Sequence, residues 1–204
     1  MKRILLTSTG FGNQHFSSLF LDKIGKEAAL TKVIFVPTAA TDDDAKEMLP
    51  SCYQDLTNVG ILPENIFVYE LRHLMSQRHN KTPKAGQDNI SQLFRLLSRE
   101  EMGEYDAIYF CGGDPAYLLN EVNRTGFNEV LKSAVENELF YIGTSAGAII
   151  AAGNLPNSLG FIDNHLYVHC GKGSPCGKLP VAQAVQLTNQ QAVWIEGDNY
   201  EVIE

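Results

Sequence analysis

No stretch of the 204 residues approaches the roughly 18 consecutive apolar positions that a membrane-spanning helix needs, so the chain is expected to be soluble. The opening Met1-Lys2-Arg3-Ile4-Leu5-Leu6 has the basic start of a secretory leader, but its apolar run ends at Leu6 and a Gly/Asn loop follows at Gly10 to Asn13. It lacks an adequate apolar region and a cleavage site, and reads instead as a first buried strand of a cytoplasmic protein. The four cysteines, Cys52, Cys111, Cys170 and Cys176, include no CxxC pair and are expected as cytosolic thiols rather than a disulfide framework. Long Lys/Arg runs are absent and the formal net charge is -8, which excludes nucleic acid and anionic membrane as main partners and leaves small molecules or proteins. There is no internal repeat and no low-complexity linker.

What is present suits one domain over residues 1–204, since 44% hydrophobic content in a chain this long fills a single core. Short apolar, β-branched runs at 2–9, 33–37, 66–71, 107–110 and 140–143 alternate with helical patterns at 15–29, 42–59, 89–98 and 116–137, the last broken at Thr125-Gly126. That alternation predicts a three-layer α/β/α sandwich around a mainly parallel, doubly wound sheet. After Ser145 the pattern changes to short strands at 165–169, 184–187, 192–195 and 200–203, expected as antiparallel strands at the C-terminal edge of the same domain. The Gly/Lys/Ser/Pro segment 171–180 reads as a loop.

The chemistry-bearing motif is Gly143-Thr144-Ser145-Ala146-Gly147, with the strand pattern Leu139-Phe140-Tyr141-Ile142 before it and the helical Ala148-Ile149-Ile150-Ala151-Ala152 after it. Strand, G-x-S-x-G and helix together form the context of a nucleophile elbow, in which a strained turn exposes the serine oxygen. The helix N-terminus favours a developing oxyanion, with the Ala146 N–H as the first donor. A second buried strand ends in Cys111-Gly112-Gly113-Asp114-Pro115, and Gly113 N–H is the candidate second donor, at the sheet edge where α/β proteins bind ligands.

A serine nucleophile needs a base, and the five histidines are the candidates. His15, His73 and His79 lie in polar settings well before the elbow, whereas His165-Leu166-Tyr167-Val168-His169 alternates with period two and puts both histidines on one face. His169 is preferred because it ends the strand and opens into the glycine loop. His165, His169, Cys170 and Cys176 form no usual zinc spacing, so no metal or other cofactor is expected. Asp163 stands roughly 20 Å from His169 if the chain is extended at about 3.3 Å per residue, and Asn189, Glu196 and Asp198 stay open as the orienting third member. The acidic Thr41-Asp42-Asp43-Asp44 reads as a helix cap, and Trp194 as core.

Several segments taken together resemble the peptidase E and cyanophycinase-like serine peptidases, whose fold is like that of class I glutamine amidotransferases with a serine at the elbow. They are Ile34-Phe35-Val36-Pro37-Thr38-Ala39, Cys111-Gly112-Gly113-Asp114 before Tyr117-Leu118-Leu119, Gly143 to Ala148, Val168-His169 and Leu187-Thr188-Asn189-Gln190-Gln191-Ala192. The resemblance implies Ser145 as nucleophile, His169 as base, and Gly113 and Ala146 as oxyanion donors. It implies a serine peptidase of the exo- or dipeptidase type that acts on small peptides, with an Asp-X preference in peptidase E proper. Three features depart from the pattern. Asn189 stands where the family has an acid, no arginine follows Gly147, leaving Lys172 or Lys178 to meet a substrate carboxylate, and His169 follows Ser145 by only 24 positions. The alternative is a weak or inactive binding or regulatory protein on the same fold, while amidotransferase chemistry would need cysteine at position 145. Exposed C-terminal strands would suit an edge-strand homodimer.

Overall fold

The computed structural model describes residues 1–74, 95–181 and 183–204. The helix expected over 89–98 lies for the most part outside these residues, as does His79. The parallel half of the sheet is made by β1 (Arg3–Thr7), β2 (Val33–Val36), β3 (Ile66–Val68), β4 (Ala107–Phe110) and β5 (Phe140–Thr144). Two antiparallel strands, β9 (Ala192–Glu196) and β10 (Asn199–Ile203), extend it on the far side of β1. A two-residue strand β7 (Gly177–Lys178), inside the segment expected as a loop, adds to β10. The order is β3-β2-β4-β5-β1-β9-β10-β7, so β1 is the hinge line between parallel and antiparallel pairing.

Alternate residues of each buried strand face opposite layers. Ile4, Leu6, Ile108, Phe110 and Tyr141 point toward α5 (Pro115–Thr125), α6 (Phe127–Glu136) and α7 (Ala146–Ala151). Leu5, Phe35, Tyr109, Ile142 and Trp194 point toward α1 (Gln14–Ile24) and α3 (Leu49–Asn58), which contribute Phe16, Phe20 and Leu56. Burial on both faces is why these strands read as unbroken apolar runs, and it makes the fold the expected α/β/α sandwich.

Helix ends follow local chemistry, as at the short α4 (Arg99–Met102), which Ser98 and Glu101 start with a capping box. The helix expected over 15–29 stops at Gly25, whose φ of 71° suits a left-handed C-cap, and only a 3-10 turn at Ala28–Leu30 follows. The helix expected over 42–59 is two pieces, α2 (Asp43–Glu47) and α3, because Pro50 has no N–H to continue the ladder. Asp42 caps α2 by accepting from Ala45 N, with Asp43 and Asp44 in the first turn, which accounts for the acidic run. Asp114 and Pro115 start α5, and Gly126 at φ 77° ends it, at the break read from sequence.

The segments 165–169 and 184–187 depart from expectation. They form only β6 (Leu166–Tyr167) and β8 (Val185–Gln186), which pair parallel with each other as a separate small sheet instead of joining the antiparallel edge. All four cysteines are free, and no helix among the described residues is long and apolar enough to cross a membrane.

Candidate active site

The turn at Ser145 is forced by sterics. β5 delivers Ser145 with φ 50° and ψ -103°, a conformation that costs a non-glycine residue about 1–3 kcal/mol. A Cβ on Gly143 would stand 2.6 Å from the Gly147 carbonyl oxygen, and one on Gly147 would stand 2.6 Å from Phe110 Cβ, so neither position admits a side chain without moving the backbone. Ser145 N–H donates to Thr7 O at 2.9 Å, and the buried Tyr141 hydroxyl donates to Gly147 O at 2.7 Å. These bonds hold the turn open. Ala146 begins α7, where first-turn N–H groups have no partner within the helix.

Beside it, β4 ends in the glycine turn. Gly113 has φ 135°, and a Cβ there would fall 2.1 Å from Ala39 O. The turn is tied by Asp114 N–H to Ala39 O at 2.8 Å. At Gly112 a Cβ would lie 3.3 Å from Ser145 Cβ, so the glycine turn and the serine are in direct apposition.

His169 Nε2 lies 3.2 Å from Ser145 Oγ, and His169 Nδ1 lies 2.9 Å from Asn189 Oδ1. The histidine does not end a strand: it sits past β6 at φ 56°, held there because its N–H donates to Ser8 Oγ at 3.1 Å. Ser8 in turn donates to Thr188 O at 3.0 Å, and Thr9 Oγ1 donates to Asn189 O at 3.1 Å. Register explains the convergence. Thr7 of β1 lies level with Thr144 of β5 on one side and Ala192 of β9 on the other, so the ends of these three strands bring Ser145 and the 188–191 turn to either side of Ser8.

The remaining sequence candidates lie elsewhere. Glu196 forms an ion pair with Lys23 at 2.7 Å, Asp163 and His165 are exposed, and Asp198 lines a separate cleft together with Lys2 and Lys178. Lys172 is exposed in the loop after His169. Among the described residues no group of three or more His, Cys, Asp or Glu side chains is placed to hold a metal ion.

The carboxyl ends of β4, β5 and β1 border a cavity of about 360 Å³ that contains Gly112, Gly113, Ser145 and His169. Its opposite wall is one face of α3 and the end of α2, bringing Ala45, Met48, Cys52 and Asp55. Neither lysine nor arginine lines it among the described residues. Asp55 accepts from Phe11 N–H at 3.0 Å and from the Tyr109 hydroxyl at 2.8 Å, and burial pushes its carboxyl up. A hydrogen bond with buried Cys111 holds the Cys52 thiol below its ordinary value, against the effect of its own burial. Sequence reasoning missed Ser8 and Asp55. The placing of Met48, Ser51, Cys52 and Asp55 three to four apart on one helix was the signal available for the second.

A model of peptidase family S51 matches residues 88–160, the stretch that carries both glycine turns and the serine. An uncharacterized peptidase of Pasteurella multocida is 28% identical over 155 residues, 76% of this chain and 62% of that protein. An uncharacterized peptidase of Listeria monocytogenes is 25% identical over 123 residues, 60% of this chain and 49% of that protein. The chain thus matches between about half and three fifths of these relatives' length. In fold it is similar to a candidate peptidase E protein from Listeria monocytogenes EGD-e, with TM-score 0.67, 20% identity, and 100% and 98% of the two chains covered. It is also similar to a peptidase from an acI-B1 Actinobacterium, with TM-score 0.63, 19% identity, and 100% and 87% covered.

Proposed function

For a chain that is peptidase E-like in sequence and fold, we propose a serine peptidase of small peptides, with Ser145 as nucleophile and His169 as its general base. The observation that carries this reading is the Asn189–His169–Ser145 relay, with 2.9 Å and 3.2 Å contacts on the two ring nitrogens, ending at a strained serine. With Nδ1–H donated to Asn189 Oδ1, the Nε2 lone pair faces the serine hydroxyl.

Ser145 Oγ forms a bond to the peptide carbonyl carbon as its proton passes to Nε2. The carbonyl oxygen takes the negative charge near the N–H groups of Gly113 and Ala146. The C–N bond then breaks, the imidazolium gives its proton to the leaving amine, and water with His169 as base releases the acid from Ser145. No cofactor enters these steps. Asn189 fixes the tautomer but supplies no charge to the imidazolium, which favours a slow enzyme or, as a second reading, a binding protein on the same fold.

A cavity of about 360 Å³ is of a size for a dipeptide, in keeping with exo- or dipeptidase action. An Asp-X preference would require a cation near the substrate carboxylate, and the described lining offers none. The test is intact-mass detection of a fluorophosphonate adduct. One adduct on the wild type, absent from Ser145→Ala and His169→Ala, is expected. A folded wild-type protein that takes no label leaves the binding reading in its place.

A further inference from the structure

Asp55 is an unusual resident of this cleft. It is the one carboxylate lining the cavity among the described residues, and no lysine or arginine accompanies it there. The fold makes room for it: Gly10, at φ 66°, has no side chain where a Cβ would fall 2.2 Å from Asp55 Oδ2 and from the Tyr109 hydroxyl. Both of its hydrogen bonds, from Phe11 N–H and Tyr109, end on Oδ2, and Oδ1 accepts nothing from the described residues. None of the described ion pairs includes Asp55.

A half-buried carboxylate without a counter-charge is costly to desolvate. A ligand bearing N–H donors and positive charge would offset that cost.

We propose that Asp55 is the specificity carboxylate of the cleft, and that the group it takes is a protonated nitrogen of the peptide. The inference rests on reading the cleft as the substrate site, and it reverses the charge preference that the family resemblance implies. An ammonium paired with Asp55 sits next to Ser145, whereas an aspartyl side chain entering the same cavity meets a like charge.

The test is binding to the Ser145→Ala protein, where turnover does not intervene, followed by NMR titration with Lys-Leu, Leu-Leu and Asp-Leu, each with a free and an acetylated N-terminus. Lys-Leu is expected to bind about tenfold tighter than Asp-Leu, with the ratio lost on further Asp55→Asn substitution. Asparagine keeps an oxygen to accept from Phe11 and Tyr109, and the wild-type charge order needs no change at Asp55 at all. Acetylation that abolishes binding assigns the α-ammonium as the recognised group; retention by acetyl-Lys-Leu alone assigns the side chain. Equal or tighter binding of Asp-Leu, a ratio unmoved by Asp55→Asn, or no binding by any cationic peptide overturns the proposal. Failure of the serine-peptidase reading shows separately, as a wild type that takes no fluorophosphonate while the order of binding persists.

Discussion

Asn189 Oδ1 stands 2.9 Å from His169 Nδ1, on the side of the ring opposite Ser145, so the imidazole is oriented by an amide that carries no charge. Asn189→Asp places a carboxylate at that contact, which favours the imidazolium form. The expected result is a rise in kcat/KM of about 10- to 100-fold, with the acid limb of the pH profile moved to higher pH. Asn189→Ala is expected to lower kcat with little change in KM. Peptide turnover by all three proteins from pH 5 to 9 checks both, and an unchanged profile in the aspartate variant would remove Asn189 from the relay.

The two glycines after β4 predict opposite failures. Gly113→Ala meets the Ala39 carbonyl at 2.1 Å with φ at 135°, and a loss on the order of 3 kcal/mol in urea unfolding is expected. Gly112→Ala meets only the Ser145 side chain, with Cβ at 3.3 Å and Oγ at 3.7 Å. It is expected to fold with near wild-type stability and to lose about tenfold or more in turnover by shifting Ser145.

Tyr141 is fully buried, and burial pushes its hydroxyl well above the usual range, so it stays a hydrogen-bond donor to Gly147 O across the working pH range. Tyr141→Phe removes that tie from the elbow. A cost of about 1 kcal/mol is expected, seen as a melting temperature lower by about 2–4 °C in a chain of this size.

Burial raises the Asp55 carboxyl above its ordinary value, with the bonds from Phe11 N–H and Tyr109 opposing the shift. The folded protein therefore holds this proton more tightly than the unfolded chain does. Ionised Asp55 disfavours folding at pH above its folded-state value, and the penalty disappears below the unfolded value of about 3.9. Asp55→Asn should gain stability relative to wild type between pH 4 and pH 7. Urea unfolding of both proteins at the two pH values measures this, and a constant difference counts against it.

The parallel half of the sandwich was legible because strands buried on both faces must be apolar throughout, and the elbow because its approach distances demand Gly143 and Gly147. The C-terminal third was less so. β6 and β8 are two residues each, too short for period-two alternation to specify partner or direction, and their mutual parallel pairing is a tertiary fact. The contact between His169 and Asn189 spans 20 positions and depends on Ser8 at the other end of the chain, so local patterning left three candidates open and only the family resemblance singled out Asn189. Asp55 escaped notice because a polar residue on a helix looks solvated until the facing wall is known.

Because Ser8 holds both the histidine and the asparagine turns, and both turns follow the elbow in sequence, a chain grown from its N-terminus can close β5 against β1 before the imidazole and the amide reach Ser8. Such a chain would carry the strained turn at Ser145 without either of the ring contacts that His169 makes in the folded protein.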